Sequence, residues 1–323
     1  MEVPFGFGGD FFWYFWARYK IMQDFQLTIL GNGAAVPTAF QNPSSQLLQY
    51  NGYSFLIDCG EGTQIQMIKY RKSARKLTRI FISHLHCDHY FGLAGLISTL
   101  HLYGRRQPLH LYAPAPLKEL LDLQFKLSDT HLMFDLVFHG LPESGLIYED
   151  KKITIETFPL KHRIETHGFV FREKPHQRKL LKDFVNTWHP GIAEMHQIKT
   201  GADYVNSEGV LMKNSDITLD APSVRSFAYC SDTAYDERII PFVRGVDLLY
   251  HEASFDDAFA DLAGEKFHST ARQAAMIAQK AGVGKLLLGH FSARYEDPSH
   301  LLTEAREEFE NSLLSHQGET YDI

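Results

Sequence analysis

The string Ser83-His84-Leu85-His86-Cys87-Asp88-His89 is the most informative part of this sequence. It follows Arg79-Ile80-Phe81-Ile82, a run with the composition of a short strand. In an extended segment His84 and His86 point to the same side, whereas Asp88 and His89 follow the turn and can face a second position. Imidazole nitrogens and carboxylate oxygens suit a borderline-soft metal such as zinc. The string therefore predicts a metal-binding loop at the end of a strand; the alternative interpretation is a group of scattered surface histidines.

Three further side chains of ligand type stand shortly after predicted strands: His162, Asp232 and His290. A single histidine after a strand is more often structural than a ligand. Together with the first loop, however, these residues supply five histidines and two aspartates. That set is about what two metal ions with a shared bridging carboxylate require.

The composition is that of an ordinary globular protein, since 44% of the 323 residues are hydrophobic and 22% are charged. Three cysteines do not describe a disulfide framework, so we expect a reducing, cytoplasmic environment. The net charge of −7 argues against a protein that coats nucleic acid nonspecifically, although local basic patches still attract phosphate.

Two basic patches are present, and each has two interpretations. They are candidate phosphate-binding surfaces, or they are ordinary solvated helix faces, which charge runs usually are. The first comprises Lys69, Arg71, Lys72, Arg75, Lys76 and Arg79, and the second Lys174, Arg178, Lys179 and Lys182.

The N-terminal segment differs from the rest of the chain. Phe11–Ala17 is strongly apolar but falls far short of the ~20 residues that cross a bilayer. It also lacks the basic start and cleavage site of a secretory signal, so we expect no membrane association. We expect residues 1–24 to be an extension, with natural translation starting at Met22, and residues 25–323 to form the folded domain.

Short strands followed by helices, in two similar halves, predict a layered α/β protein. Strands are predicted at 26–30, 47–50, 53–57, 79–82, 109–112, 153–158, 169–172, 226–229, 246–250 and 286–288, and helices at 63–70, 93–103, 270–281 and 298–315. Asn51-Gly52 between the second and third strands is a strong hairpin signal. The stretch from about residue 173 to residue 206 breaks this rhythm and is predicted to be an inserted arm.

Several motifs resemble those of one family. The metal loop, the later histidine, the Ser-Asp-Thr aspartate and the final histidine resemble the ordered ligand motifs of the metallo-β-lactamase superfamily. Further stretches resemble its ribonuclease Z branch. They are Asp58-Cys59-Gly60-Glu61-Gly62-Thr63-Gln64, His251-Glu252-Ala253-Ser254, Phe267-His268-Ser269-Thr270 and His290-Phe291-Ser292-Ala293-Arg294-Tyr295. The resemblance implies an αββα sandwich of two mixed sheets flanked by helices, with a tRNA-binding arm where the irregular stretch lies.

The resemblance also implies a role for each site residue. One zinc is held by His84, His86, His162 and Asp232, and the other by Asp88, His89 and His290, with Asp232 bridging the two. Asp88 would also orient or deprotonate the attacking water. His268, polarised by Glu252, would protonate the leaving oxygen.

The implied activity is removal of 3′ trailers from precursor tRNA, with a 3′-hydroxyl on the tRNA and a 5′-phosphate on the trailer. The family further implies a homodimer in which the arm of one subunit holds tRNA for the other subunit's site. One alternative is a metallo-hydrolase of small phosphodiesters or of lactones and thioesters, because fold and metal site do not choose the substrate. Another is an RNA-binding protein with structural zinc, although such sites are typically closed and contain cysteine.

Two positions depart from the family pattern. The family's loop Pro-x-Lys-x-Arg-Asn, which contacts the acceptor end, is here Pro37-Thr38-Ala39-Phe40-Gln41-Asn42 and has lost both cations. The loss of these cations bears on how the protein treats a tRNA with a mature CCA end. It does not bear on the cleavage chemistry. Cys87 stands where the family usually has glycine, and we interpret it as a tolerated small residue rather than a redox-sensitive one.

Overall fold

A computed structural model describes residues 25–323, and the expected N-terminal extension lies outside the described residues. Two mixed sheets of seven strands each dominate the architecture. In chain order their strands are β1 Phe25–Gly31, β2 Ser45–Tyr50, β3 Tyr53–Ile57, β4 Arg79–Phe81, β5 Leu109–Ala113, β6 Leu136–Gly140, β7 Gly145–Glu149, β8 Ile153–Pro159, β9 His167–Glu173, β14 Ser226–Cys230, β15 Leu248–Glu252, β16 Lys285–Gly289, β17 Ser312–Leu314 and β18 Thr320–Asp322. The first sheet has the order β18-β1-β2-β3-β4-β5-β6, and the second has the order β17-β16-β15-β14-β9-β8-β7.

Helices cover the outer faces of both sheets. The helices outside the arm are α1 Thr63–Lys69, α2 Cys87–Tyr90, α3 Leu93–Leu102, α4 Pro116–Leu127, α8 Ile240–Val243, α9 Ala260–Lys266, α10 Ala271–Ala281 and α11 Ser299–Glu308, with short 3-10 turns at Ala74–Lys76, Glu237–Ile239 and Asp257–Phe259. One core packs α1, α3 and α4 on the first sheet, a second packs α10 and α11 on the other sheet, and a third fills the space between the sheets. This four-layer arrangement confirms the predicted αββα sandwich.

Strand β4 shows how side-chain alternation builds these layers. Phe81 points into the core between the sheets, whereas Ile80 and Ile82 point into the core beneath the helices. The β2–β3 hairpin turns at Asn51 and Gly52, which have φ values of 45° and 88°. Positive φ at both central residues is what a type I′ turn requires, so the hairpin prediction is confirmed.

The topology brings the ends of several strands together. Strands β3 to β6 run parallel in the first sheet, and β14 to β17 run parallel in the second. The metal loop follows β4, Asp232 follows β14, and His290 follows β16. Loops after the carboxyl ends of parallel strands form the usual ligand-binding edge of an α/β sheet.

The irregular stretch is a compact unit inserted between β9 and β14, which are antiparallel neighbours. It spans residues 174–225, so it continues beyond the predicted boundary at residue 206. Its elements are β10 Lys179–Leu180, α5 Lys182–Trp188, α6 Ile192–Lys199, β11 Tyr204–Val205, β12 Leu211–Met212, α7 Asn214–Ile217 and β13 Thr218–Leu219. Its own small core contains Phe184, Ile198, Tyr204 and Ile217.

The predicted helix over 298–315 is wrong in its second half. Helix α11 ends at Glu308, and Ser312–Leu314 is the edge strand β17, which pairs in parallel with β16. Leu313 packs toward the core between the sheets and Leu314 toward the helix-side core, as alternation in a strand demands. Strand β15 also begins two residues later than predicted, at Leu248.

Candidate metal centre

The first ligand group is formed by His84, His86, His162 and Asp232. His86 Nδ1 lies 3.0 Å from His84 Nε2 and 3.1 Å from His162 Nε2. Asp232 Oδ2 lies 3.6 Å from His84 Nε2 and 3.8 Å from His162 Nε2. Three nitrogens and one carboxylate oxygen therefore converge on one point.

The second ligand group is formed by Asp88, His89 and His290. Asp88 Oδ2 lies 3.5 Å from His89 Nε2 and 3.4 Å from His290 Nε2. The other oxygen of Asp232, Oδ1, lies 3.3 Å from His89 Nε2 and 3.2 Å from His290 Nε2. Asp232 therefore turns one oxygen toward each group, which is the geometry of a bridging carboxylate.

Buried polar atoms without partners show that this cluster fits metal ions. His89 Nε2, His290 Nε2 and Asp232 Oδ1 are all buried and make no hydrogen bond among the described residues. Leaving such atoms unpaired costs about 1–3 kcal/mol each, because they have lost their water without replacement. Mixed imidazole and carboxylate donors aimed at one another suit zinc or a similar divalent cation.

The ring nitrogens that face away from the centre are held by outer partners. His89 Nδ1 lies 2.7 Å from Asp58 Oδ2, and His84 Nδ1 lies 3.0 Å from Ser83 Oγ. His162 Nδ1 lies 2.9 Å from the carbonyl oxygen of Phe267. A hydrogen bond to one ring nitrogen fixes the tautomer and leaves the other nitrogen free to bind a metal.

Asp58 is the most heavily bonded of these partners. Besides His89, its carboxylate accepts hydrogen bonds from Ser83 N at 2.7 Å, from Ser83 Oγ at 2.9 Å and from Tyr229 OH at 2.6 Å. The residue adopts φ = 55°, in the left-handed region, which aspartate and asparagine enter more often than most residues other than glycine. The loop after β3 therefore holds a fully buried carboxylate against the metal loop.

The loops pack closely because residue 60 is glycine. A Cβ built on Gly60 would lie 2.4 Å from the carbonyl oxygen of Asp88. No side chain fits at that distance, so any other residue would push the metal loop away.

A carboxylate–histidine pair lies beside both ligand groups. His268 Nδ1 is 2.8 Å from Glu252 Oε1, which also accepts the N–H of Thr233 at 2.8 Å. The ring of His268 lies 5.3 Å from that of His162 and 5.6 Å from that of His290, measured between centroids. Burial disfavours the charged ring, but the adjacent Glu252 carboxylate outweighs it and raises the pKa of His268 to about 9.

Ser254 connects this pair to the second ligand group. Its hydroxyl lies 2.7 Å from Glu252 Oε2, 2.9 Å from His290 Nδ1 and 3.4 Å from His268 Nδ1. The hydroxyl donates a hydrogen bond to the Glu252 carboxylate, so its oxygen can accept a hydrogen bond from His290 Nδ1. With its hydrogen on Nδ1, the His290 ring keeps Nε2 free to bind a metal. Ser254 and Asp58 both lie within the family-like motifs of the sequence, but neither had a predicted role.

The charges of the ligand residues depend on one another. Burial opposes ionisation of Asp88 and Asp232, but the neighbouring histidines lower the pKa of both carboxyls below the usual range. Burial also opposes the charge on His89, yet Asp232, Asp58 and Asp88 raise its pKa. The carboxylates therefore concentrate negative charge at the point where the histidine nitrogens converge, as a cation site requires.

The segment that leads into the divergent loop at residues 37–42 contacts the centre. The Ala35 N–H donates to Asp88 Oδ2 at 2.7 Å, and Ala34 N donates to the carbonyl oxygen of Phe291 at 3.0 Å. Phe40 projects from this loop and is 88% exposed. Cys87 is also exposed, between ligand residues of the metal loop.

Two packed mixed sheets with outer helices, and a His/Asp centre at their shared edge, define a metal-dependent hydrolase of the metallo-β-lactamase fold. A family model described as "Anti-Pycsar protein Apyc1" matches residues 25–299. Ribonuclease Z of Bacteroides fragilis is 44% identical over 299 residues, which make up 92% of this chain and 98% of that protein. Ribonuclease Z of Porphyromonas gingivalis is 39% identical, with 94% of this chain and 100% of that protein covered. The chain therefore belongs to the ribonuclease Z family, and it also matches the Apyc1 family model.

A solved structure agrees with this assignment. The short form of human tRNase Z has a TM-score of 0.68 and 28% identity to this chain, covering 92% of this chain and 99% of the human one.

Proposed function

We propose that the chain is a zinc-dependent endoribonuclease that removes 3′ trailers from precursor tRNA, leaving a 3′-hydroxyl on the tRNA and a 5′-phosphate on the trailer. The observation that carries this proposal is the pairing of two ligand groups, which share Asp232, with the adjacent His268–Glu252 pair. Ribonuclease Z and tRNase Z are the names of its relatives in sequence and structure.

Two zinc ions per subunit are part of the proposal. His84, His86 and His162 would hold one, Asp88, His89 and His290 the other, and Asp232 both. When bound, the ions would lower the pKa of water toward ~7 and neutralise charge on the phosphoryl oxygens.

Asp88 would orient or deprotonate the attacking water. Its Oδ2 is occupied by the Ala35 N–H and faces His89 and His290, so Oδ1 is the oxygen that would receive the water. The depressed pKa of Asp88 keeps this carboxylate ionised and able to accept hydrogen bonds.

His268 would supply the proton that the departing 3′-oxygen needs. The Glu252 carboxylate raises the pKa of His268 to about 9, which favours the protonated ring. Glu252 fixes the orientation of the ring through Nδ1, so Nε2 is the nitrogen that would donate. Carbonyl substrates of similar hydrolases have no evident need for such a pair, and this favours a phosphodiester.

The inserted segment, residues 174–225, would be the tRNA-binding arm. Arg178, Lys179, Lys182 and Lys199 line a cavity of about 640 Å³ on its surface. The negative charge of the whole chain makes such a local concentration of cations the natural attachment point for a phosphate backbone.

The homodimer is proposed on an apolar surface of the first helix layer. We call this surface the apolar helix face and define it by Phe91, Leu120 and Leu123, which are 47–56% exposed. A shallow apolar cavity of about 170 Å³ opens between α3 and α4 at this surface. Exposed apolar patches of this kind mark association surfaces, and a second copy is the occupant that we propose.

A cytoplasmic location is likewise proposed. The three cysteines, Cys59, Cys87 and Cys230, are all free thiols, in keeping with a reducing compartment. Among the described residues, none of the helices has the length and apolar character of a bilayer crossing.

The test is cleavage of a 3′-extended precursor tRNA, with both product ends mapped. We expect one cut near the discriminator base, which is abolished by a chelator, restored by zinc and lost in His86→Ala. His131→Ala, which alters an exposed histidine outside the centre, serves as the matched control and should cleave normally. Precursors with and without CCA would show how the Pro37–Asn42 loop alters the treatment of mature ends.

A second candidate is hydrolysis of a small phosphodiester, because the fold and the metal site alone do not choose the substrate. A metal-loaded protein that leaves precursor tRNA intact but hydrolyses a small phosphodiester would establish this candidate and reject the first.

A further inference from the structure

Arg294 is an exposed cation held in an unusual way. Its guanidinium carbon lies 4.8 Å from the centroid of the Phe255 ring and 4.5 Å from that of Phe259. Its Nε also contacts Ser292 Oγ at 3.2 Å. Two aromatic faces and a hydroxyl therefore fix the guanidinium, although the residue is on the surface.

Arg294 makes no ion pair with a carboxylate within residues 25–323, although Glu296 and Asp297 follow it closely in the chain. A nearby arginine behaves differently, because Arg272 is paired with three carboxylates: Asp257, Glu307 and Glu308. The charge of Arg294 is thus held in position while its donors stay available to an anion from solution.

The position of Arg294 places it at the edge of the metal centre. Phe255, which is buried and lies under the guanidinium, also packs against His268 at 6.0 Å between ring centroids. Arg294 comes four residues after His290. The same aromatic ring therefore supports both the proposed proton donor and the unpaired cation.

We propose that Arg294 binds a phosphate of the RNA backbone next to the scissile one, and so positions the substrate strand across the metal centre. This inference rests on the proposed function. The planar guanidinium offers several N–H donors to phosphate oxygens, and because the aromatic rings already restrict the side chain, little freedom is lost on binding. Arg294 is a binding and positioning residue, and no proton transfer is assigned to it.

The test compares Arg294→Ala with Arg238→Ala, both in an Asp88→Ala background that prevents cleavage. Arg238 is an exposed arginine paired with Asp236, so its loss removes the same charge from a place outside the centre. The dissociation constant of labelled precursor tRNA is measured over a range of salt concentrations. We expect Arg294→Ala to weaken binding on the order of 10-fold and to reduce the salt slope by about 0.7–0.9, the value of one lost phosphate contact. We expect Arg238→Ala to change neither.

Arg294→Lys separates the charge from the shape of the side chain. Lysine keeps the phosphate charge contact but cannot stack flat on the two rings, so the salt slope should return while the affinity recovers only in part. Thermal unfolding of each variant excludes a loss of fold as the cause.

Equal affinities and equal salt slopes for Arg294→Ala and Arg238→Ala would overturn the inference. The proposed function is judged separately, by whether the unmodified protein cuts precursor tRNA. If the protein cuts precursor tRNA but its affinity does not depend on Arg294, the proposed function stands and the role of Arg294 is rejected.

Discussion

At the scale of single residues, the Glu252 carboxylate organises the acid side of the centre. Its two oxygens accept hydrogen bonds from His268 Nδ1, from the Thr233 N–H and from the Ser254 hydroxyl. The carboxylate is fully buried, so these contacts replace the water that it would otherwise bind. The orientation of His268 is therefore set by groups that cannot move without exposing a buried charge.

We expect His268→Ala to slow the chemical step by roughly 10²–10⁴-fold, the usual contribution of a general acid. The dissociation constant of precursor tRNA should change little, since the ring is assigned to proton transfer. Single-turnover cleavage at saturating enzyme, together with a binding titration, checks both statements. An unchanged single-turnover rate would remove His268 from the mechanism.

Ser254 gives a second prediction at this scale, with metal affinity as the readout. Ser254→Ala removes the hydroxyl that holds His290 in the tautomer with Nε2 free, so the metal shared by Asp88, His89 and His290 should bind about 10–100-fold more weakly. The affinity of the His84, His86 and His162 group for its metal should not change. Titration of the metal-free protein with zinc resolves the two affinities.

The control for Ser254 is Ser312→Ala, which removes another buried hydroxyl, one that bonds to the carbonyl oxygen of Phe309 away from the centre. Ser254→Thr keeps the hydroxyl and should restore the affinity. If Ser254→Ala and Ser312→Ala bound zinc equally well, the outer hydrogen bond would have no part in metal binding.

The sequence predicts the groups that converge on the centre but not the groups that hold them in place. All seven predicted ligand residues and the His268–Glu252 pair come together in the structure. The partners Asp58, Ser83 and Ser254 could not be assigned, because a carboxylate or hydroxyl becomes an orienting group only through contacts that tertiary folding creates. Tyr229 OH, 171 positions away from Asp58 in the chain, illustrates the distance involved.

At the scale of elements, strong local signals gave correct predictions and weak ones did not. The Asn51-Gly52 hairpin and the helix from Thr270 to Ala281 carry their own turn and capping chemistry; Thr270 accepts a hydrogen bond from Gln273 N and forms a capping box. Strand β17, by contrast, pairs with the edge of β16, a long-range contact that its sequence, predicted as the continuation of a helix, does not signal. Helix α4 was not predicted, although Pro116 at its start is a typical first helical residue.

The arm is the element whose removal separates binding from chemistry. Strands β9 and β14 are antiparallel neighbours, and Glu173 and Arg225 form an ion pair at the base of the arm, 2.7 Å between Oε1 and Nη2. Replacing residues 177–221 by a short Gly-Ser turn should therefore leave both sheets intact. We expect the affinity for precursor tRNA to fall at least ~10-fold, because several phosphate contacts are lost.

The rate at saturating RNA should fall far less than the affinity in this arm-deleted variant. Filter binding and single-turnover cleavage measure the two quantities, and thermal unfolding shows that the domain is folded. Full affinity in the folded variant would mean that the RNA is held elsewhere, with the basic residues around Lys69 as the next surface to test.

At the scale of the whole molecule, the apolar helix face lies on the first helix layer, whereas the arm leaves the second sheet. The proposed dimer pairs two copies through this face, and the family resemblance implies that the arm of one subunit then serves its partner's centre. We expect Leu123→Asp to shift the protein from dimer to monomer in sedimentation experiments, since a charge would be buried in an apolar interface. Leu146→Asp, at an exposed leucine of the second sheet, is the matched control and should leave the dimer intact.

Mixed dimers test whether the arm acts on the partner's centre. The arm-deleted variant and Asp88→Ala each lack one component, so neither should process precursor tRNA efficiently alone. If the arm acts across the interface, a mixed dimer contains one complete combination: the arm of the Asp88→Ala subunit and the centre of the arm-deleted subunit. Random pairing makes half of the dimers mixed, and each mixed dimer has one complete site out of two. About a quarter of the activity of the unmodified protein should therefore return when the two variants are refolded or expressed together.

An arm that served its own subunit would give a different result, because no subunit of the mixed dimer would then hold both an arm and an intact centre. Activity would stay at the level of the two parents. Adding Leu123→Asp to both variants supplies the remaining control, since any recovered activity that depends on pairing must disappear when the apolar helix face is charged. Recovery that survives this change would show that the subunits exchange the RNA through solution, and the proposed dimer would have no role in processing.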